Sequence, residues 1–286
     1  PEELYKEALS AAQDIQDEEY RIKVLIALAA NLPEELYKEA LSAAQDIQGS
    51  SDRAKVLSAL AANLPEELYK EALSAAQDIQ DESDRANALI ALATNLPQEL
   101  YKEALSAAQA IQDERNRADA LIALATNLPE ELYKKALSAA QAIQFEFYRA
   151  YVLIALAANL PEELYKEALS AAQAIQDESN RADILSALAA NLPEELYKEA
   201  LSAALAIRYE SDRVKVLNPL IPQSVTFPTS QQFTIWQEIL YQGAQRNRPE
   251  FLSDLTTLVP LIDSLGGKAA GIGIAKSIQQ IAKWWR

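Results

Sequence analysis

The chain has 286 residues and contains neither cysteine nor histidine, which excludes disulfides, thiolate or imidazole metal sites and the commonest general base. Its formal charge of −16 and pI of about 4.5 disfavour binding to the phosphate backbone of a nucleic acid. Half of the residues are hydrophobic and only six are glycine, a composition typical of helical proteins with an ample core.

The chain begins at Pro1, inside the repeated motif and without Met, so we expect it to be a piece of a longer protein or a trimmed one. No signal peptide opens it, and no uncharged apolar run reaches the ~18 residues that span a bilayer. We therefore expect no membrane partner. The absence of cysteine fits a reducing cytoplasm, which is the location that we expect.

The sequence PEELYKEALSAAQ recurs along the chain with few changes and at a constant spacing of 32 residues. Such regularity gives every repeat the same geometry, as a stacked array of repeats requires. The prolines that open the seven repeats are Pro1, Pro33, Pro65, Pro97, Pro129, Pro161 and Pro193.

The third repeat illustrates the pattern of the first helix. Its apolar residues recur at helical spacing, which predicts an amphipathic helix. Pro65 suits the first position of this helix, and the pattern ends at about Gln80. The apolar residues on this face are Leu68, Tyr69, Ala72, Leu73, Ala76 and Ile79.

A polar break over residues 81–84 contains good N-cap residues and precedes a second helix. Asn95 can adopt the left-handed conformation that ends a helix, and Pro97 disfavours helix at the residue before it. One hairpin cannot bury its apolar face alone, so neighbours must stack. We predict an all-α, right-handed α-solenoid of seven helical hairpins. The apolar residues of the second helix are Ala86, Leu89, Leu92, Ala93 and Leu96.

The C-terminal segment departs from the repeat. Pro219 replaces an alanine and is expected to break the second helix of repeat 7, and residues 221–230 are predicted to form a linker. We predict a repeat domain over residues 1–224 with a charge of −18 and a three-helix cap over residues 225–286 with a charge of +2. Such a cap covers the last exposed hairpin of a solenoid. The three helices are predicted from Gln231 to about Arg246, from Pro249 to Leu265 and from Lys268 to Trp285.

Two features of the cap have alternative interpretations. Gly266-Gly267-Lys268 is similar to the end of a phosphate-binding loop, but Ile262 and Ala269 stand where that loop needs Gly and Ser or Thr. A helix stop is therefore the preferred interpretation, and we expect no cofactor, no metal and no enzymatic activity. Trp284-Trp285 is interpreted as a cover for the last apolar face rather than as a membrane anchor.

An arginine stands at position 21 of every repeat, and all but one have a glutamate three residues earlier. A residue present in every copy serves the repeat rather than one site. We expect a local ion pair worth a few tenths of a kcal/mol. These arginines are Arg21, Arg53, Arg85, Arg117, Arg149, Arg181 and Arg213.

The repeats differ mainly at positions 17, 19, 20, 23 and 26, which are expected to be exposed. Repeat 5 places Phe145, Phe147, Tyr148 and Tyr151 there, a set called the aromatic cluster below, with Ile154 one turn further on. Repeat 5 is electrically neutral, whereas repeats 3 and 6 carry −5 and −4.

Aromatic side chains on an otherwise polar and acidic surface are typical of a binding hot spot. We predict that the aromatic cluster contacts a partner, and that Tyr20 and the pair Arg208-Tyr209 extend the contact. The alternative is that Phe145 and Phe147 pack against a neighbouring loop of the same chain.

Two-helix repeats of this size resemble the tetratricopeptide and HEAT-like solenoids. The period is 32 residues against about 34 in tetratricopeptide repeats, whose Trp and Gly signature positions are absent. The unit AxxIxDExxRAxxLxALAxxLP resembles repeats in the C-terminal sensor regions of bacterial STAND-type signalling NTPases. The ending RPEFLSDLTTLVPLIDSLGG…IQQIAKWW is similar to the ends of such chains. The resemblance implies a sensor or scaffold region separated from its effector, while the near-identity of the repeats is equally expected of a consensus-designed or recently duplicated array.

The sequence thus predicts a non-catalytic scaffold that binds a protein or peptide through the variable face of its second helices. The alternative is a structural or self-assembling scaffold, in which the aromatic cluster forms a contact between copies of the chain. Nucleic acid is not expected as a partner under either interpretation.

Overall fold

The computed structural model describes residues 2–282, and every regular element in that range is helical. The predicted all-α fold of repeated helical hairpins is confirmed. The chain divides at a repeat boundary into two compact units, Pro1–Leu160 with repeats 1–5 and Pro161–Arg286 with the remainder. The Trp284-Trp285 pair lies outside the described residues.

Each repeat consists of a first helix, a short loop and a second helix. From repeat 2 onward, one 3₁₀ turn over the three residues after the proline precedes the first helix. The first helices are α1 (Glu2–Gln13), α3 (Tyr37–Gln45), α5 (Tyr69–Gln77), α7 (Tyr101–Gln109), α9 (Tyr133–Gln141), α11 (Tyr165–Gln173) and α13 (Tyr197–Leu205). The second helices are α2 (Glu18–Ala29), α4 (Ser50–Ala61), α6 (Glu82–Ala93), α8 (Glu114–Ala125), α10 (Glu146–Ala157), α12 (Glu178–Ala189) and α14 (Glu210–Ser224). The last three helices are α15 (Thr229–Gly243), α16 (Arg248–Thr257) and α17 (Val259–Ala282).

The first helix begins later than predicted. Pro65 has an extended backbone (φ −57°, ψ 143°) and precedes the helix instead of opening it. Its carbonyl accepts the N–H of Leu68 at 3.0 Å, an i to i+3 bond that makes the first turn 3₁₀. The α-helical bonds start at Tyr69 and stop at Gln77, short of the predicted Gln80.

The second helix does not end in a left-handed residue, so the expectation for Asn95 was wrong. No non-glycine residue of the described range has a positive φ. The Asn95 side chain instead hydrogen-bonds to the phenol of Tyr69, whose hydroxyl donates to the carbonyl of Ala61 at 3.1 Å. Because Ala61 ends the preceding second helix, this tyrosine satisfies a terminal carbonyl and links two repeats.

Stacking of the second helices builds the core of the first unit. In that unit α2, α4, α6, α8 and α10 pack in chain order, and each first helix packs on the second helix of its own repeat. The predicted alanine and leucine stripes are buried at the interfaces, with Ala76 and Leu92 among the most buried residues of repeat 3. Small residues at these positions let the helices approach closely.

The position-21 arginines do more than form the predicted local ion pair. In repeat 4, Arg117 lies 3.2 Å from Glu114, but its Nη1 also donates to the carbonyl of Ile111 at 2.7 Å. That carbonyl follows the end of α7 and has no helical partner. The corresponding bond, at 2.6–2.9 Å, is made by Arg53, Arg85, Arg117, Arg149, Arg181 and Arg213.

In repeats 1, 3, 4 and 6 the glutamate at position 18 links the repeat to the next one. The Glu114 carboxylate accepts the backbone N–H groups of Gln144 and Phe145, both at 2.8 Å, in the loop of the following repeat. Glu82 holds Gln112 and Asp113 in the same way. Since these loop amides have no helical partner, the carboxylate satisfies donors that would otherwise stay unpaired. Repeat 2 has Ser50 at this position.

The bonds of Glu114 set the charge state of its carboxyl. Burial would raise the pKa of Glu114, but the bonds from Phe145 and Gln144 and the charges of Arg117 and Arg149 outweigh it and lower the pKa below 4.5. A carboxyl whose pKa is lower in the folded chain than in the unfolded chain stabilises the folded state. Its full contribution is present above the unfolded pKa. That stabilisation is lost as the pH falls through the folded pKa.

Glu114→Gln should therefore reduce the free energy of unfolding at pH 7 by about 1–3 kcal/mol, the value of hydrogen bonds to a charged group. The difference from the parent chain should shrink as the pH falls from the unfolded pKa of Glu114 through its lower folded pKa, because the folded parent becomes protonated there and loses the stabilisation. Urea unfolding of both chains between pH 7 and pH 3 measures this. Glu131→Gln, which changes an exposed carboxylate of the next repeat, is the matched control. If Glu114→Gln lost the same free energy of unfolding at every pH, the ionised Glu114 carboxylate would not be the source of the stabilisation.

Pro219 does not break the last second helix, contrary to the sequence prediction. The helix α14 continues to Ser224 with Pro219 and Pro222 inside it, so the predicted linker shrinks to residues 225–228. Pro219 removes the N–H that would bond to the carbonyl of Lys215, and that carbonyl instead accepts the Ser186 hydroxyl at 3.2 Å. Full burial of residues 220 and 221 favours continuation of the helix.

A buried ionic cluster attaches the C-terminal helices to repeat 7. Arg213, with a fully buried side chain, donates through Nε to both carboxylate oxygens of Asp254 on α16, at 2.9 and 3.1 Å. Arg246 donates to the same carboxylate at 2.6 Å and to the carbonyl of Leu205 at 2.6 Å. The predicted boundary at residue 224 coincides with the end of α14, but the division into domains there stays a prediction.

The predicted second cap helix is interrupted. α16 ends at Thr257 and α17 starts at Val259, because Pro260 suits the first turn of a new helix and cannot continue an old one. Gly267, with φ 60° and ψ −167°, interrupts α17 as a non-helical residue. No single helix of residues 2–282 is long and apolar enough to cross a bilayer; α16 and residues 259–280 pass that test only together, as a pair bent by 79°.

Candidate functional site

The aromatic cluster lies at the start of α10, in the last repeat of the first unit. Phe145 is 66% exposed, Phe147 54% and Tyr151 49%, whereas Tyr148 is half-buried. Soluble chains bury most side chains of this type. Three of the four predicted residues therefore present apolar area to solvent, as the comparison of repeats predicted.

The four rings form one connected group. Tyr148 packs edge-on against Phe145 and Phe147, with ring centroids 6.2 and 5.5 Å apart. Phe147 lies 4.8 Å from Tyr151 at an interplanar angle of 57°. Such pairs gain about 0.5–1.5 kcal/mol each beyond burial. The half-buried Tyr148 thus supports the exposed rings on either side of it and holds them as a preformed surface.

Phe145 occupies a position where the fold favours a different residue. It is the N-cap of α10, and no side chain caps that helix. The equivalent residues Asp81, Asp113 and Asp177 each accept a backbone N–H of the first helical turn through their carboxylates. Loss of such a cap costs about 1 kcal/mol. Repeat 5 therefore carries an exposed phenylalanine at the expense of helix stability, which a purely structural repeat has no reason to do.

Phe145→Asp should be more stable than Phe145→Ala, because both variants lose the ring contact with Tyr148 and only aspartate restores the cap. The expected difference in the free energy of unfolding is about 1 kcal/mol by urea titration. Gly49→Asp is the matched comparison, since Gly49 is also an uncapped N-cap and glycine is only a few tenths of a kcal/mol worse than aspartate there. Equal stability of Phe145→Asp and Phe145→Ala would contradict the view that position 145 is a vacant cap.

The residues predicted to extend the contact do not join the aromatic cluster in the first unit. Tyr20 is exposed on α2, with α4, α6 and α8 between it and α10, and its ring lies 5.4 Å from the ammonium of Lys23. Ile154 is half-buried like Ile90 and Ile122 at the same repeat position, which fits packing.

The pair Arg208-Tyr209 lies in the second unit. Tyr209 is an exposed, uncapped N-cap of α14, and Arg208 donates to Glu178 at 2.7 Å. A contact of this pair with the partner of the aromatic cluster stays a prediction.

Sequence reasoning missed Glu114, which positions the cluster. Its carboxylate holds the N–H of Phe145 while leaving the side chain at that position free to vary. The signal was present in the sequence, since six of the seven repeats have glutamate at position 18. The partner of that glutamate was not predictable, because it lies about 30 residues away in the next repeat.

Two grooves of the second unit lie beside α15. One, of about 580 Å³ between α13 and α15, is lined by Glu194, Glu195 and Glu238 with a single cation, Lys198. The other, of about 560 Å³ between α15 and α17, is apolar and includes Phe233 and Trp236. Neither groove contains any of the residues predicted from the sequence.

No family model matches the chain, and no curated protein is significantly similar to it. Among solved structures, the chain is similar to Ton1535 from Thermococcus onnurineus NA1, with 15% identity and a TM-score of 0.31 over 90% of this chain and 95% of that one. It is also similar to a chain from the computational design of self-assembling cyclic protein homo-oligomers, with 19% identity and a TM-score of 0.14 over 96% and 94%. Both similarities are too low to carry an argument about function.

Proposed function

We propose that the chain is a non-catalytic repeat scaffold that binds a protein or peptide through the aromatic cluster on α10. The observation that carries the proposal is the exposed Phe145 at an N-cap where other repeats have a capping aspartate. Repeats 1, 3, 4 and 6 avoid this stability cost with a capping aspartate, so the phenylalanine of repeat 5 needs a compensating role, and burial against a partner supplies it.

The chemistry of the surroundings favours the same function. Large rings gain most on burial at an interface, and preformed ring contacts reduce the entropy lost on binding. Repeat 5 is electrically neutral within a chain of charge −16. An acidic partner is therefore repelled less there than at the other, acidic repeats, and fewer charged side chains lose their water when it binds. The cluster alone is smaller than the roughly 800 Å² per partner of a standard interface, so it would be the centre of a larger contact.

Self-association through the same surface is the second candidate. Two copies of the chain repel each other over most of their acidic surface, and the neutral repeat 5 is where they can approach. A symmetric contact would bury the cluster of one copy against that of the other. The resemblance to sensor regions of STAND-type NTPases favours a different protein as the partner over a second copy of this chain. A role as such a sensor region is part of the proposal.

The test replaces the aromatic cluster with the residues of repeat 3. The quadruple variant Phe145→Asp, Phe147→Ser, Tyr148→Asp, Tyr151→Asn reproduces a surface that this scaffold already carries at residues 81, 83, 84 and 87, so it should fold. Tyr241→Gln, which removes an exposed aromatic of α15 that lies outside the predicted contact, is the control.

Light scattering after size exclusion gives the oligomeric state, and amide hydrogen exchange shows where a captured partner binds. We expect a monomeric parent whose partner protects the amides of α10, with protection lost in the quadruple variant and kept in the control. A dimeric parent and a folded monomeric quadruple variant would favour self-association. Loss of helicity in the quadruple variant, or equal partner binding by all three chains, would contradict both functions.

A further inference from the structure

Repeat 5 differs from the others on its first helix as well. A cleft of about 420 Å³ opens in the first unit, where α9 lies beside α7 and the start of α8. Its polar lining residues are Gln109, Arg117, Lys135 and Ser138, and the small Ala139 and Ala142 complete it. It lies between repeats 4 and 5 and shares no residue with the aromatic cluster.

The cleft is cationic because a carboxylate of the repeat is replaced by a cation in it. Lys135 stands at position 7, where the other six repeats have glutamate. Position 14 adds no carboxylate, because Ala142 stands there as alanine does in repeats 4, 6 and 7. The lining therefore holds an arginine and a lysine but no carboxylate. Among residues 2–282, no carboxylate lies within ion-pair distance of Lys135.

Both cations keep donors that the fold does not use. The Lys135 ammonium donates to the Ser106 hydroxyl at 2.7 Å, which leaves two of its three N–H groups. Arg117 uses three of its five N–H groups, two on Nη1 to the backbone and one on Nη2 to Glu114, which leaves Nε–H and one Nη2–H. The Glu114 carboxylate is held by two backbone N–H groups of the next loop and lies outside the lining.

The second unit contains the corresponding cleft with balanced charges, because Arg181 and Lys198 share its lining with two carboxylates. There Glu199 takes the place of Lys135 and accepts a hydrogen bond from Gln173 at 3.3 Å, and Glu195 is the other carboxylate. The lysine in repeat 5 removes this internal partner and leaves Gln109 and two cations facing an open space.

We propose that the cleft of repeat 5 binds an oxyanion, a carboxylate or phosphate group, between Lys135 and Arg117. Charge-assisted bonds from a lysine and an arginine suit such groups. The seven repeats together carry a charge of −18, so most of their surface repels anions and a cationic cleft among them is a local exception. This site does not depend on the partner of the aromatic cluster.

Backbone amide NMR of the full chain, titrated separately with inorganic phosphate and with acetate at constant ionic strength, tests the proposal. Saturable shifts are expected for residues 115–117 and 135–142. Lys135→Glu, which restores the residue of the other repeats, should weaken binding by about tenfold or more while leaving the fold intact. Lys134→Glu makes the same charge change at an exposed neighbour and should keep most of the affinity.

Saturation by phosphate alone would identify a phosphate site, and saturation by acetate would identify a carboxylate site; either supports the proposal. Three results would overturn it: no saturable shift with either anion, equal weakening by Lys134→Glu and Lys135→Glu, or equal shifts around Glu199 in the second unit. Circular dichroism checks that both variants, Lys134→Glu and Lys135→Glu, keep the helical content of the parent chain.

Discussion

The repeats depend on how the backbone groups of the loop between the first and second helix are satisfied. The last carbonyls of the first helix and the amides that follow it have no helical partners. The position-21 arginine supplies donors to the carbonyls from within the repeat, and in the loops of repeats 2, 4, 5 and 7 the position-18 glutamate of the preceding repeat accepts the amides. A loop held at both ends by charged side chains keeps one conformation whatever side chains it carries.

That constraint explains why one repeat can change its surface without changing its fold. At residue 145 the N–H is held by Glu114 and the carbonyl accepts the N–H of Arg149, so only the side chain is free to vary. Aspartate there caps the helix, and phenylalanine forgoes the cap and becomes available to a partner. Lys135 is the same kind of change on the first helix, where the glutamate of the other repeats contributes little that the fold requires.

The sequence predicted the repeat, its two helices and the exposure of Phe145, Phe147 and Tyr151 because these follow from local periodicity. It mispredicted Asn95 and Pro219, since both depend on side chains distant in sequence. A tyrosine reaches one terminal carbonyl, and the Ser186 hydroxyl replaces the hydrogen bond that Pro219 removes.

The buried contact of Arg213 with Asp254 was unpredictable for the same reason, because its partners are 41 residues apart. In the sequence, Lys135 is the one residue at position 7 of the repeats that is not glutamate. It was overlooked because the first helix is otherwise nearly invariant, and its significance emerges only from the cleft around it.

We infer that the variable side chains, and not the scaffold that carries them, determine what the chain binds. The most direct measurement moves the aromatic cluster to repeat 4, whose loop Glu82 holds as Glu114 holds that of repeat 5. Asp113→Phe, Arg115→Phe, Asn116→Tyr and Asp119→Tyr are introduced into the quadruple variant that lacks the original cluster. If the account is correct, the protection from hydrogen exchange on partner addition, or the dimer, returns and maps to α8. A folded chain in which neither returns would contradict it.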